Sequence, residues 1–416
     1  MKKLAGAALL SVGDILGKLI GFLILPYLTS RMGTVEYGIL TLYLSFIQIL
    51  IILISFSGQG LLPVKFIQES ETAGLIFRRD NINLGIVISI FLFLISLLIK
   101  PFLHFSISAY DLFWIIFAAL VQAVNVINLS HLRISQTYRI ATIGQFALSV
   151  MNVVFTVILF TVLTGSAINR LIAVSFSFLF VQLLYSFFIY SKLKIDNSKT
   201  TLSLVCRYKE IFLYGVSLWP HHGSYWIKST IDRFFIAHYL SVSIVGVYGL
   251  ALQLSSILML FFTVINQACQ PFIYRYLNSG EFKKVRKVQL GYSMIVLFSA
   301  LAYSIILPIV FPWLFNLKFN DALKYFTYLM PGTVFMCIYY IYTHALFFYK
   351  RNKKISLITA SSMIVHLLGI LIVVNTNISV EYFCVVYAIS SGFACGATIL
   401  FCNKQLKEVA KNKYVA

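Results

Sequence analysis

Twelve continuous apolar runs, each about 20 residues or longer, leave this chain few ways to fold. They lie at roughly 5–28, 37–64, 82–100, 111–131, 140–163, 171–190, 211–238, 245–273, 288–311, 323–348, 355–374 and 380–402. A hydrocarbon layer ~30 Å thick takes about 20 apolar residues per helical span. In lipid every backbone N–H and C=O must find its partner inside the protein, which admits only helices and closed β-barrels. Barrel strands are shorter and alternate polar with apolar positions, whereas these runs are continuous. The expectation is an all-α integral membrane protein with about 12 transmembrane helices. Only 11% of residues are charged, less than half the ~25% of a soluble domain.

A repeat sets how the spans are grouped. Residues 34–66 align with 242–274 at an offset of 208, pairing Gly38 with Gly246, Leu42 with Leu250, Leu44 with Leu252, Ile49 with Ile257, Leu50 with Leu258, Gln59 with Gln267 and Pro63 with Pro271. The offset is half of the 416 residues, so the chain reads as a duplication of six spans. An even number of spans per copy leaves the copies parallel, related by an axis along the membrane normal. The expected architecture is two parallel six-helix lobes around a central cavity. They cover residues 1–190 and 211–416, joined by a polar, basic cytoplasmic linker over 191–210.

Lysine and arginine orient the chain. With both termini on the cytoplasmic side, 25 Lys and Arg fall in cytoplasmic segments and five (Arg31, Lys100, Arg170, Lys318 and Lys324) on the opposite side. The net charge of +20 is then a topology signal and a match to anionic headgroups. Because it is spread over seven short segments with no soluble module, no nucleic-acid partner is expected. The first run has no small-residue cleavage site and is expected to be a span. No loop is long enough to house a catalytic domain, and no GxxxxGK[ST], HExxH or GxSxG occurs, so the chain is expected not to be an enzyme. The six cysteines lie in spans or near the cytoplasmic face, where structural disulfides are not expected.

Polar groups inside the runs carry the chemistry. Asp14 and Lys18 stand four residues apart on one face of the first run. They either neutralise each other or place Lys18 in the wall of a cavity for an anion, with Asp14 tuning it. The seventh run is the most polar, with His221, His222, Lys228, Asp232 and Arg233. An unpaired lysine there costs at least ~2.5 kcal/mol, and pairing Lys228 with Asp232 leaves Arg233 unmatched. Adjacent histidines diverge on a helix and have no carboxylate beside them, so no metal site is expected; His222 is instead a candidate for polar lining. Gln59 and its counterpart Gln267 either face a cavity or bond between helices. Gln122, Asn125 and Asn128 can share a face by i,i+3 spacing, toward the bundle interior or a neighbouring helix.

At these residues a resemblance emerges. Ile231-Asp232-Arg233-Phe-Phe-Ile followed by Ile244-Val-Gly246-Val-Tyr248-Gly-Leu-Ala251 resembles a signature of polysaccharide-export membrane proteins. Gly33-Thr-Val-Glu36-Tyr37-Gly38 resembles the matching first-half motif, with Thr34 where the family often has proline. Both are similar to Wzx-type O-antigen flippases of the MATE-like multidrug/oligosaccharidyl-lipid/polysaccharide exporter superfamily. The resemblance implies a flippase of the bacterial inner membrane that moves undecaprenyl-pyrophosphate-linked oligosaccharide by alternating access. Lys18, Lys228 and Arg233 would line its cationic cavity. Proton or sodium coupling through Asp14 or Asp232, and partners among the polymerase and chain-length proteins of the same pathway, are open extensions; no cofactor is implied. The alternatives are a MATE-type drug or cation antiporter, whose cavity should be net acidic, and an O-antigen polymerase, which would need a large periplasmic loop and no half-length repeat.

Overall fold

The structure is a computed structural model that describes residues 17, 19–100, 107–192, 203–376 and 378–415. Its helices are α1 (Leu25–Ser55), α2 (Gly58–Gln68), α3 (Glu71–Ile99), α4 (Ala109–Ile134), α5 (Tyr138–Val162), α6 (Ala167–Lys192), α7 (Leu204–Tyr239), α8 (Val242–Ser279), α9 (Phe282–Leu314), α10 (Asp321–Phe348), α11 (Asn352–Thr376) and α12 (Val380–Val415). Eleven of the twelve apolar runs each fall on one of these helices, or on the α1–α2 pair; the run at 5–28 lies largely outside the described residues. Among the described residues nine helical spans are long and apolar enough to cross a membrane. The chain is an all-helical multi-pass membrane protein. Apolar side chains such as Leu98 and Trp313, 72% and 88% exposed, have lipid rather than water to face.

The helix ends follow from local chemistry. Ser70 begins α3 by accepting from the Ala73 N–H. Ser108 and Asp111 form a capping box at α4, and Ser241 accepts from the Ile244 N–H at α8. Each relieves a backbone donor that has no partner within its helix. Gly280, at φ 76°, closes α8.

The described chain divides into two compact units. Unit 1 runs to Gly223 with Gly33–Gly38 excepted, and unit 2 comprises Gly33–Gly38 with Ser224 onward. In unit 1, α4 is the central helix, packed against α2, α3, α5 and α6. In unit 2 the central helix is α10, which packs against α8, α9, α11 and α12.

The two copies of the repeat differ in their helix path. In the first, Phe56 and Ser57 adopt left-handed backbone at φ 47° and 53°, separating α1 from α2. In the second, α8 runs without a break from Val242 to Ser279. The copies meet within unit 2 at aligned positions. A Cβ on Gly38 would lie 1.9 Å from the Val242 carbonyl oxygen, and one on Gly246 would lie 2.0 Å from that of Thr34. Each glycine therefore meets the residue four before its own counterpart. Glycine here permits a helix approach that any side chain forbids.

Gly33 breaks α1 internally at φ 70°, ψ −179°, a region that glycine alone adopts readily. Nothing stands within 4 Å of a Cβ placed there, so backbone strain is the whole cost of a side chain. Gly33→Ala is expected to destabilise by ~1–3 kcal/mol. Gly21→Ala, also in open space but with ordinary backbone, is expected to be neutral or slightly stabilising. Thermal unfolding of the two variants in detergent checks the contrast, and equal melting temperatures would refute it.

Candidate functional site

The seventh run supplies helix α7, and its charged turn enters unit 2. Lys228 Nζ donates to Ser362 Oγ at 2.7 Å and lies 3.9 Å from Met336 Sδ. Ser362 in turn donates to the Ser390 carbonyl at 2.7 Å. His366, one turn beyond Ser362 on α11, has Nδ1 3.2 Å from Ser390 Oγ. His366 Nε2 and Ser391 Oγ are buried without a hydrogen-bond partner. Lys228 is thus set among hydroxyls and a thioether, and among the described residues no carboxylate lies within ion-pair distance of it.

Asp232 makes separate contacts. It is 2% exposed, accepts from the Tyr248 hydroxyl, and takes the Arg233 backbone N–H at 2.9 Å. Pairing of Lys228 with Asp232, one of the two readings of that spacing, does not form; Tyr248 of the Gly-Val-Tyr motif holds the carboxylate instead.

Unit 1 holds a second polar set. Arg78, 2% exposed, donates through Nε to Asn128 Oδ1 at 2.6 Å. Asn128 Nδ2 donates to Gln182 Oε1 at 2.6 Å, and Gln182 Nε2 donates to Asn125 Oδ1 at 2.8 Å. The two asparagines therefore bond to a neighbouring helix, fastening α3, α4 and α6 together as buried amides require. Asp80, 1% exposed, sits between Arg207 at 2.6 Å and Arg79 at 3.2 Å.

Gln59 begins the turn after the left-handed break and lines a cleft of about 440 Å³ with Pro63 of α2 and Val126, Leu129, Ser130, Arg133 and Ile134 of α4. Its repeat counterpart Gln267 is exposed, and the neighbouring Asn266 takes the interior place, 3.0 Å from His344 Nε2. His222 is half-buried on α7. Lys18 and Asp14 lie outside the described residues. Sequence reasoning missed Ser362, His366, Arg78, Asp80 and Gln182. The i,i+4 pair Ser362–His366 and the lone Gln182 in an apolar run were available signals, whereas Arg78 and Asp80 looked like ordinary loop charges.

In an all-helical multi-pass membrane protein, an intramembrane cation set among neutral groups is the kind of residue that marks a substrate or ion pathway. Residues 4–277 match the family described as polysaccharide biosynthesis protein, and residues 224–372 match the family described as MatE. The chain belongs to the polysaccharide biosynthesis protein family and is a Wzx-like transporter of the MOP superfamily. A Haemophilus influenzae protein named for the Lsg locus is 26% identical over 382 residues, 91% of this chain and 93% of its own length. A second H. influenzae membrane protein is 25% identical over 379 residues, 88% of this chain and 89% of its own. Among solved structures, a multidrug resistance MATE family transporter in its inward-facing conformation superposes with a TM-score of 0.72 at 13% identity, covering 94% of this chain and 96% of that one. A MOP superfamily transporter from Pyrococcus furiosus gives 0.65 at 13%, covering 97% and 95%. At these identities the structural likeness fixes the fold.

Proposed function

We propose that this chain flips a polyprenyl-pyrophosphate-linked oligosaccharide, a repeat unit of O antigen or a similar surface polysaccharide, across the bacterial inner membrane, with both termini cytoplasmic. Lys228 carries the reading: an intramembrane ammonium whose partners are Ser362 and Met336 offers its charge to a compact anion such as a pyrophosphate. Arg233, five residues on, supplies a guanidinium that can hold phosphate oxygens bidentately. Lys18 is the expected third cation. The MatE match over 224–372 favours a drug or cation antiporter as the second reading, but Lys228, with no carboxylate at ion-pair distance among the described residues, repels cationic cargo. The family match, together with the absence of a large loop, tells against a polymerase.

The test is export of surface polysaccharide in cells, at matched protein abundance. Losing one hydrogen bond to a charged group costs about 1.5–3 kcal/mol, so Lys228→Gln is expected to lower affinity for the lipid-linked saccharide about 10–150-fold. Lys228→Arg is expected to retain part of it. Wild-type export by Lys228→Gln and by Arg233→Ala would sink the cationic assignment.

A further inference from the structure

We propose that the cleft in unit 1 between α2 and α4 is a saccharide subsite that takes the cargo at a separate stage from its pyrophosphate's contact with Lys228, binding sugar hydroxyls through Gln59 and the adjoining phosphate through Arg133. The inference rests on the reading of the cargo given above and adds a place for its sugar. At about 440 Å³ the cleft falls in the ~300–1,000 Å³ range of small-molecule sites.

Its lining divides into a polar wall and an apolar floor. Gln59 Oε1 is buried and accepts no hydrogen bond, a cost that a donating hydroxyl of a ligand would remove. The turn carrying Gln59 is already fixed, because its main-chain carbonyl accepts from Ser130 Oγ at 2.9 Å. The main chain at Gln59 is held in place before any ligand arrives, which lowers the ordering entropy that opposes binding. On α4 the cleft-lining positions Val126, Ser130 and Arg133 follow helical spacing. One turn earlier on the same stripe stands Gln122, whose Nε2 is likewise buried without a partner. The Gln59 carbonyl oxygen, an acceptor without a donor, suits a ligand rich in hydroxyls, which donate. Arg133, exposed in the last turn of α4, places a guanidinium at the end of this stripe, where a phosphate would lie. Val126, Leu129 and Pro63 present apolar surface to the carbon face of a sugar ring. The repeat does not reproduce the site: Gln267 is exposed and α8 is unbroken where the first copy turns.

A hydroxyl-bearing phosphodiester could come from a lipid-linked saccharide or from phosphatidylglycerol, and binding measurements separate the two. The intact protein in phosphatidylethanolamine nanodiscs is titrated with farnesyl-diphospho-N-acetylglucosamine, with farnesyl diphosphate, and with phosphatidylglycerol as competitor. The wild type is expected to prefer the sugar-bearing probe. Gln59→Leu is expected to erase about 3–10-fold of that preference, the range of one neutral hydrogen bond, while binding farnesyl diphosphate as before. Arg133→Gln is expected to weaken both probes. In the unaltered protein, the sugar-bearing probe is expected to protect Arg133 from phenylglyoxal, read by mass spectrometry; this arm holds even if a variant fails to fold. Full preference in Gln59→Leu, or an Arg133 modified at the same rate with and without probe, overturns the subsite and leaves the Lys228 reading standing. Displacement of both probes by phosphatidylglycerol assigns the cleft to bulk lipid and overturns it too. A wild type that binds none of the prenyl probes removes the cargo reading itself.

Discussion

Gly38→Ala is expected to abolish most of the folded protein, because the new methyl group would meet backbone. Its Cβ would sit 1.9 Å from the Val242 carbonyl oxygen and 2.9 Å from the carbonyl carbon, well inside van der Waals contact. A crowded side chain can turn to another rotamer, but a helical carbonyl is held by its own hydrogen bond. The helices must therefore separate. Separation strains the Ser243–Thr34 hydroxyl bond of 2.8 Å and the Tyr37–Gln253 bond of 2.7 Å. Overpacking ordinarily costs ~1–3 kcal/mol, and a clash with main chain belongs at or above the top of that range. Gly246→Ala is expected to do the same, since its Cβ meets the Thr34 carbonyl oxygen at 2.0 Å. Monodisperse yield and melting temperature in detergent give the readout. A variant with wild-type yield and melting temperature would show that the crossing is looser than described.

Asp80→Ala is expected to be the most damaging side-chain truncation in unit 1. The carboxylate uses both oxygens, Oδ2 toward Arg207 Nε at 2.6 Å and Oδ1 toward Arg79 Nη2 at 3.2 Å. Removing one partner of a buried ion pair costs ~3–5 kcal/mol, because the remaining charge stays desolvated. Here the arginine side chains are 16% and 28% exposed, so water recovers part of the loss and the lower end applies. Asp80→Asn keeps an acceptor without the charge and is expected to fall between wild type and alanine. Arg207→Gln is expected to cost less than Asp80→Ala, since Arg79 still neutralises the carboxylate. The order Asp80→Ala, then Asp80→Asn, then wild type in thermal unfolding is the check; equal melting temperatures for all three would overturn it.

Much of the fold was legible because lipid enforces a simple rule. Runs long enough to span must be helices, and their number and the 208-residue offset are arithmetic on the sequence. Gly38 was legible as an identity of the repeat. Its partner was not, because nothing in the residues says that aligned positions of the two copies touch. The site was legible where a residue type was costly for its surroundings. Lys228 and Asp232 stood out in an apolar run, but which groups answer them depends on tertiary packing. Tyr248 and Ser362, the groups that do so, lie 16 and 134 residues away in sequence. Asn125 and Asn128 showed a shared face; only packing against Gln182 shows that this face is occupied. The break at Phe56–Ser57 had no single-residue signature, because neither residue favours left-handed backbone and tertiary packing must hold them there.

The turn at Gly33–Gly38 also bears on how the chain is made. Tyr37 is 1% exposed, donates to Gln253 from 216 residues away, and rests edge-on against Phe319 at 5.6 Å. At about 5–20 residues per second, the ribosome reaches Gln253 about 10–40 s after Tyr37. For that interval one of the best-buried aromatic residues of the finished protein has neither its acceptor nor its ring partner, and its phenol must be sheltered by lipid headgroups, the translocon or a chaperone. The early segment is thus inserted first and completed late, and a ribosome stalled between the two halves would leave this turn as an exposed target for membrane proteases.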